Sequence, residues 1–523
     1  MSVQNRLLGG VALCALASAA CAQTPQVNTQ LQLLQQQIQQ LQQQLQTLQN
    51  QVTAQAQTPV APAPAAPAAP TPHVTQSAGN RFGLESADGQ YSIGLTGRLH
   101  LDFGGYPSYH QDSHFTTPSD LNDGVNARRA RLGITGKFAG DWNYTFIYDF
   151  GGSNDNGPAS ASTGGAPNAG ATGGIQSALI NYNGLYHGPY PIAFDVGYAD
   201  TFFTLDEATS SNDIMFMERA SPQVIATQFN AGDFRSAVGV RSNDDRYWAG
   251  VYLTGPVSGG NHSIGTSGEE YGAFGRFTYQ ALVGPNYSFH VGVDADALLH
   301  PATATTGLTS LVLSDRPELR IDPTSFLTTT IGPTTATSQA GQVTGGTVYG
   351  LETAGGYDNL FFQGEGYNYR VDRMNLPDNS FWGGYLEGSV TVTGEHRNYL
   401  PGTGAYSGII PTHPFSLSAG TWGAIELAAR LSYVNLNDNF MPSAGNGVST
   451  LTNSVEGGRQ TVYGLGLNWY VNPNIRFMFD YMHAVVKKTN GVTATGAACT
   501  SATCGEQIGA DIDEVGGRMQ VAF

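Results

Sequence analysis

The 523-residue chain is short of charge: Asp, Glu, Lys and Arg together make up 12% of it. Leu, Glu and Lys are too scarce for a mostly helical protein. Acids outnumber bases, 40 Asp and Glu against 23 Lys and Arg, for a net charge of -17. That leaves no basic stripe to neutralise phosphates, which excludes nucleic acid as a partner. Beyond residue 22 there is no apolar run of about 18 residues, so no membrane-spanning helix is expected. Any membrane crossing must then use a closed sheet. The chain has four cysteines and no G-x-S-x-G or HExxH pattern. No catalytic residue, cofactor or metal site is therefore expected, and the chain is read as not an enzyme.

What is plentiful is Gly, at 67 residues, and aromatic side chains, at 10%. Many glycine-bounded strands are the natural reading of such a composition. In the last stretch Val515, Gly517, Met519, Val521 and Phe523 share one face of an extended chain, with Gly516, Arg518 and Gln520 on the other. An aromatic carboxyl terminus suits a final strand that closes a sheet at a lipid interface. The same alternation recurs from residue 82 onward. Tyr91, Ile93, Leu95, Leu99, Leu101 and Phe103 oppose Ser92, Thr96, Arg98, His100 and Asp102. Leu132, Ile134 and Phe138 oppose Arg129, Arg131, Thr135 and Lys137, and after Ala139-Gly140-Asp141 a return strand aligns Trp142, Tyr144, Phe146, Tyr148 and Phe150.

About 16 to 18 such segments of about 9 to 13 residues exceed the usual soluble strand length of five or six. Connections divide into tight turns, such as Asn472-Pro473-Asn474, and long polar excursions, such as 151–174 and 488–511. Short turns at one rim and long loops at the other predict an all-β fold: an antiparallel transmembrane β-barrel of 16 or 18 strands, over residues 81–523. Its apolar faces would meet outer-membrane lipid and its polar faces would line a wet lumen.

Three segments precede it. Residues 1–22 read as a signal peptide, with Arg6, an apolar core and Ala20-Cys21-Ala22 before the cut. Cys21 leaves with this leader or stays as a lone thiol or lipid site. Residues 23–57 form a Gln-rich α-helical coiled coil, with Leu31, Ile38, Leu45 and Val52 at a and Val27, Leu34, Leu41 and Leu48 at d. Residues 58–80 are a Pro/Ala-rich linker. Cys499 and Cys504 share a polar loop in an exported chain, and a local disulfide between them is expected.

Particular residues resemble the phosphate-selective porin O and P family. They are Arg128-Arg129-Ala130-Arg131-Leu132-Gly133, Ser210-Ser211-Asn212-Asp213 with Phe216-Met217-Glu218-Arg219, and Gly384-Tyr385-Leu386-Glu387 leading to Thr393-Gly394-Glu395-His396-Arg397-Asn398-Tyr399. Gly466-Leu467-Asn468-Trp469-Tyr470 and Asn472-Pro473-Asn474 extend the match. The resemblance implies a 16-stranded homotrimeric outer-membrane porin for small hydrophilic solutes or ions, anions such as phosphate included, with a loop folded into the pore. The lysine common before that loop is absent from Gly197-Tyr198-Ala199-Asp200-Thr201-Phe202-Phe203.

The constriction is expected where the 204–220 loop, with Asp206, Glu207, Asp213, Glu218 and Arg219, faces Arg98, Arg129 and Arg131. Arg98, Arg129, Arg131, Lys137, Arg235, Arg241, Arg276, Arg430, Arg476 and Arg518 nearly balance Asp102, Asp149, Asp195, Asp294, Asp296, Glu352, Glu365, Glu387, Glu426 and Asp480 on the polar faces. A balanced wall beside an acidic loop predicts weak ion selectivity. The competing reading is a plugged barrel acting as a tether or adhesin, its periplasmic N-terminal arm touching the cell wall.

Overall fold

The computed structural model describes residues 25–57, 71–77, 81–111, 120–151, 174–186, 191–200, 202–230, 234–257, 266–304, 306–333, 340–439, 454–489 and 508–523. The signal peptide, Cys21, residues 58–70 of the linker, and Cys499 with Cys504 lie outside them. Residues 1–70 and 71–523 are separate compact units. In the first, α1 (Pro25–Gln57) is a single helix, with the heptad residues Leu34, Ile38, Leu41, Leu45 and Leu48 exposed by 49–63%.

The second unit is a sheet of eighteen strands, sixteen of which close into an antiparallel ring. Those strands are β1 (Ser92–Gln111), β2 (Gly124–Phe138), β3 (Trp142–Asp149), β4 (Gly174–Leu185), β5 (Ile192–Ala199), β6 (Arg235–Asn243), β7 (Tyr247–Val257) and β8 (Tyr271–Val283). They continue with β9 (Tyr287–His300), β10 (Val343–Tyr357), β11 (Leu360–Arg373), β12 (Asn379–Thr391), β13 (Ala424–Asp438), β14 (Val455–Asn472), β15 (Ile475–Lys487) and β16 (Ala510–Ala522). Each pairs with its sequence neighbour, and β16 pairs back onto β1.

Closure is made at the carboxyl terminus. Phe523 exchanges two backbone hydrogen bonds with Gly97, at 2.8 and 3.0 Å. A Cβ on Gly97 would lie 2.5 Å from the Phe523 ring, so only glycine admits the terminal aromatic there. The β16 ladder reaches Gly97, and the first residues of β1 present an edge beyond it. Strand Arg81–Glu85 covers that edge through Gly83 to Glu85, and His73–Ser77 pairs with Arg81–Glu85 in turn. The linker therefore ends before His73 rather than at residue 80, because Val74 and Thr75 extend readily and find a partner strand.

The expected faces hold. Tyr91, Ile93, Leu95, Leu99 and Phe103 are exposed on the outer wall, as are Trp142, Phe146 and Phe150, while His100 and Asp102 are buried inside. Aromatic pairs cluster at the short-turn rim, including Trp142 on Tyr182 at 4.7 Å and Trp469 on Phe477 at 5.6 Å. Such a girdle marks a membrane interface.

Among several register shifts in the described residues, one bears on the site. His100 faces Arg129 and Leu101 faces Ala127, so Arg128 is the extra residue of a β-bulge. Strict alternation would send its guanidinium outward at a cost of about 2–4 kcal/mol in lipid. The bulge turns both Arg128 and Arg129 inward, each about 1–2% exposed.

Candidate pore constriction

Three segments fill the barrel. The stretch after β5 enters from the long-loop rim as α2 (Leu205–Ala208), an irregular run, and α3 (Ser221–Thr227), with Phe203, Leu205, Phe216 and Phe229 fully buried. Residues 306–333, between β9 and β10, lie against it. From the opposite rim come residues 392–423, whose Tyr406 packs on Phe361 at 4.9 Å and whose Arg397 donates to the Asp213 carbonyl at 2.6 Å.

Irregular backbone inside a lumen needs partners for its N–H and C=O groups. The wall supplies them. Glu365 accepts from the N–H groups of Leu205 and Asp206 at 2.7 and 3.0 Å, and Asp480 accepts from Met217 at 2.7 Å. Arg430 donates to the Glu218 carbonyl at 2.9 Å, and Arg476 to those of Asn212 and Ile214 at 3.0 and 2.8 Å. Wall charges also pair across strands: Arg518 with Asp102 at 2.6 Å, Arg276 with Glu352 at 2.9 Å, and Arg430 with Glu387 at 2.8 Å. Several of the charges counted as lumen chemistry thus hold the inserted segments in place, and others pair with one another along the wall.

The expected site residues divide into two groups. Arg98, Arg129, Arg131, Glu207 and Arg219 come together around a cavity of about 290 Å³, with Asp200, Ser210 and Ser211 also on its wall. Arg98 donates to the hydroxyls of Ser211 and Ser210, and His100 links to Asn212 at 3.0 Å. Arg131 is held by Asp149 at 2.7 Å, with its guanidinium 5.1 Å from the centre of the Phe234 ring. Arg219 stands 3.5 Å from Glu207, which also accepts from Gln223 at 2.7 Å.

Asp206, Asp213 and Glu218 are not on this cavity, contrary to the expectation of an acidic loop facing the arginines. The loop's register turns Asp206 and Glu218 away from it into buried positions and sets half-buried Asp213 beside Gly408 of the 392–423 segment. Burial raises the Asp206 carboxyl despite Arg219 and Arg430, and raises Asp213 despite Arg397 and Arg476. Glu218 differs. Burial would push it up, but Arg128, Arg129 and Arg518 hold it well below the usual carboxylate range. It receives Arg128 at 2.7 Å, Arg518 at 2.8 Å and Arg320 at 3.3 Å.

The cavity wall consequently carries four guanidinium groups, from Arg98, Arg129, Arg131 and Arg219, against the carboxylates of Asp200 and Glu207. Sequence reading found both sets of charges but missed their sorting. It also missed Arg128 as a loop anchor, Arg397 and the inward course of 392–423, and the 306–333 segment with Glu318 and Arg320. For Arg397, the length of the 392–423 connection at a rim of otherwise tight turns was the available signal.

Comparisons with known proteins find relatives by sequence and likenesses by structure. The chain is 25% identical over 428 residues to "Porin O" of Pseudomonas aeruginosa, covering 79% of this chain and 86% of that one. It is 24% identical over 433 residues to an uncharacterized protein of Caulobacter vibrioides, covering 80% and 73%. Among solved structures it is similar to OmpT of Vibrio cholerae and to the anion-selective porin from Comamonas acidovorans. Each is 12% identical with a TM-score of 0.44, covering 83% of this chain and 98% and 100% of theirs. At such TM-scores neither likeness bears on the function. The family model "Phosphate-selective porin O and P" matches residues 93–523. Spanning most of the sequence and the whole closed barrel, that match means that the chain belongs to the phosphate-selective porin O and P family of outer-membrane porins.

Proposed function

We propose that this porin passes small hydrophilic anions in preference to cations, through the cavity beside the inserted loop. The observation that carries the reading is the lining of four guanidinium groups against two carboxylates. A pore selects by the sign of charge at its narrowest part. None of the four is a lysine, and phosphate is one solute within the class. The arginines sit on a wall of serine and threonine hydroxyls, which offers anions hydrogen bonds without closing around them. Reversal potentials across a salt gradient in a planar bilayer test this: the potential should take the sign of anion flow. A cation-side potential would overturn it. A bilayer that never shows discrete current steps would favour the tether or adhesin reading, which the three inserted segments make worth testing.

The chain is also proposed to be exported through the 1–22 leader and to assemble as a homotrimer. Support comes from the heptad stripe exposed along α1. On this reading the arm is periplasmic, zips three copies together and reaches toward the cell wall, with a Cys499–Cys504 disulfide tightening the last long loop. A channel rather than an enzyme is the reading throughout.

A further inference from the structure

The inner wall holds three carboxylates that the anchoring of the loop does not fully explain. Asp294 on β9, Glu352 on β10 and Glu365 on β11 place one oxygen each within 4.8 Å of one another. All three are at most 5% exposed. Glu352 lies directly across the ladder from Glu365, and like charges so placed repel. Each of two acids sits over a glycine on the next strand. A Cβ at Gly350 would fall on the Asp294 carboxylate, and one at Gly292 would fall on that of Glu352. The backbone is thus cut away to let the carboxylates converge.

Their partners do not use up their oxygens. Glu352 binds Arg276 and also His290 at 2.8 Å, and Glu365 accepts from α2 and from the Tyr385 hydroxyl at 2.6 Å. Both carboxylate oxygens of Asp294, and the nearby Tyr367 hydroxyl, have no hydrogen-bond partner among the described residues. A buried carboxylate in that condition calls for a cation.

We propose that Asp294, Glu352 and Glu365 hold one divalent cation, calcium by preference, that ties the α2 end of the inserted loop to the barrel wall. The donor atoms are all hard oxygens, the choice for calcium or magnesium. Calcium takes carboxylate oxygens at about 2.3–2.6 Å in flexible geometry, whereas magnesium demands a near-ideal octahedron at about 2.0–2.1 Å and keeps several waters. Three carboxylates whose oxygens come within 4.8 Å of one another suit the flexible, all-oxygen shell of calcium. Charge fits as well: three carboxylates and the single Arg276 guanidinium leave two negative charges for one divalent ion. Glu365 transmits the effect, since it caps α2 and is a ligand at once.

The test uses the full chain refolded in detergent free of lipopolysaccharide, so that lipid-borne ions do not contribute. Calcium uptake is measured by equilibrium dialysis, and terbium emission is excited through Tyr367 and Tyr385. The wild type should bind one calcium per chain and show terbium emission that calcium displaces. Asp294→Asn should weaken both by at least about tenfold, while Asp378→Asn, at an exposed pair with Arg370, should change neither. Should Asp294→Asn not refold, the wild type alone decides: EGTA must lower its thermal midpoint and added calcium restore it. Absence of saturable uptake by the wild type, or equal uptake by a folded Asp294→Asn, would overturn the site and leave shared protons as the neutralising agent. None of these readings depends on which solutes the pore passes.

Discussion

Removing the Arg98 guanidinium should weaken anion preference by a calculable amount. The side chain lines a cavity of about 290 Å³ and is bound there to the Ser210 and Ser211 hydroxyls. An ion centred in such a space stands roughly 6 Å from it, where one charge contributes about 0.7 kcal/mol in a water-like dielectric. Screening at 0.1 M salt cuts this to about 0.4 kcal/mol. Anions lose that attraction and cations lose the equal repulsion, so Arg98→Ala should lower the anion-to-cation permeability ratio about fourfold at 0.1 M and about sevenfold at 0.01 M. Reversal potentials at the two ionic strengths measure both values. An unchanged ratio at both would refute the placement of the selecting charge beside the loop; a change independent of salt would mean that the substitution acted by reshaping the cavity.

Two further outcomes follow from the anchoring of the loop and a third from α1. Arg128→Met leaves Glu218 buried with fewer partners and should destabilise the barrel by about 3–5 kcal/mol, read by denaturant unfolding in detergent; a loss under about 1 kcal/mol would mean that Arg518 and Arg320 suffice. Because the folded pKa of Glu218 is depressed, its stabilisation is present above the ordinary carboxylate value of about 4.3 and is lost as pH falls through the depressed one. The thermal midpoint of the wild type should therefore drop on acidification below that value, and Glu218→Gln should start lower and respond less. Deleting residues 23–72 should leave the barrel folded and weaken its trimers, as sized by light scattering; an oligomer of unchanged stability would remove the zipper role of α1.

The barrel was legible because its pattern is local. Alternation at positions such as Tyr144, Phe146 and Tyr148 shows at once which face avoids water, and strand length separates a membrane wall from a soluble sandwich. The terminal Phe523 marks the closing strand for the same reason, while its fit over Gly97 needs the register of β16 on β1. The constriction was only half legible. Arg98, Arg129 and Arg131 follow from alternation, but a bulge breaks the period at Arg128. The direction of Asp206, Asp213 and Glu218 depends on the path of an irregular loop, which no period encodes. Whether Asp480 or Arg476 lines a pore or holds a backbone group is decided by which segment folds against it, a long-range fact. The acids at 294, 352 and 365 were each placed inward correctly, but their convergence needs three strands in register.

The account depends on the outer face of each strand meeting hydrocarbon while the inner face meets water. Single cysteines placed along residues 143–148 of β3, in a variant lacking the native cysteines and reconstituted in lipid vesicles, test this most directly. Positions 143, 145 and 147 should react with a charged, water-borne thiol reagent, and 144, 146 and 148 should be protected from it and be quenched by brominated lipid. Uniform protection, or the same alternation with its phase reversed, would contradict it.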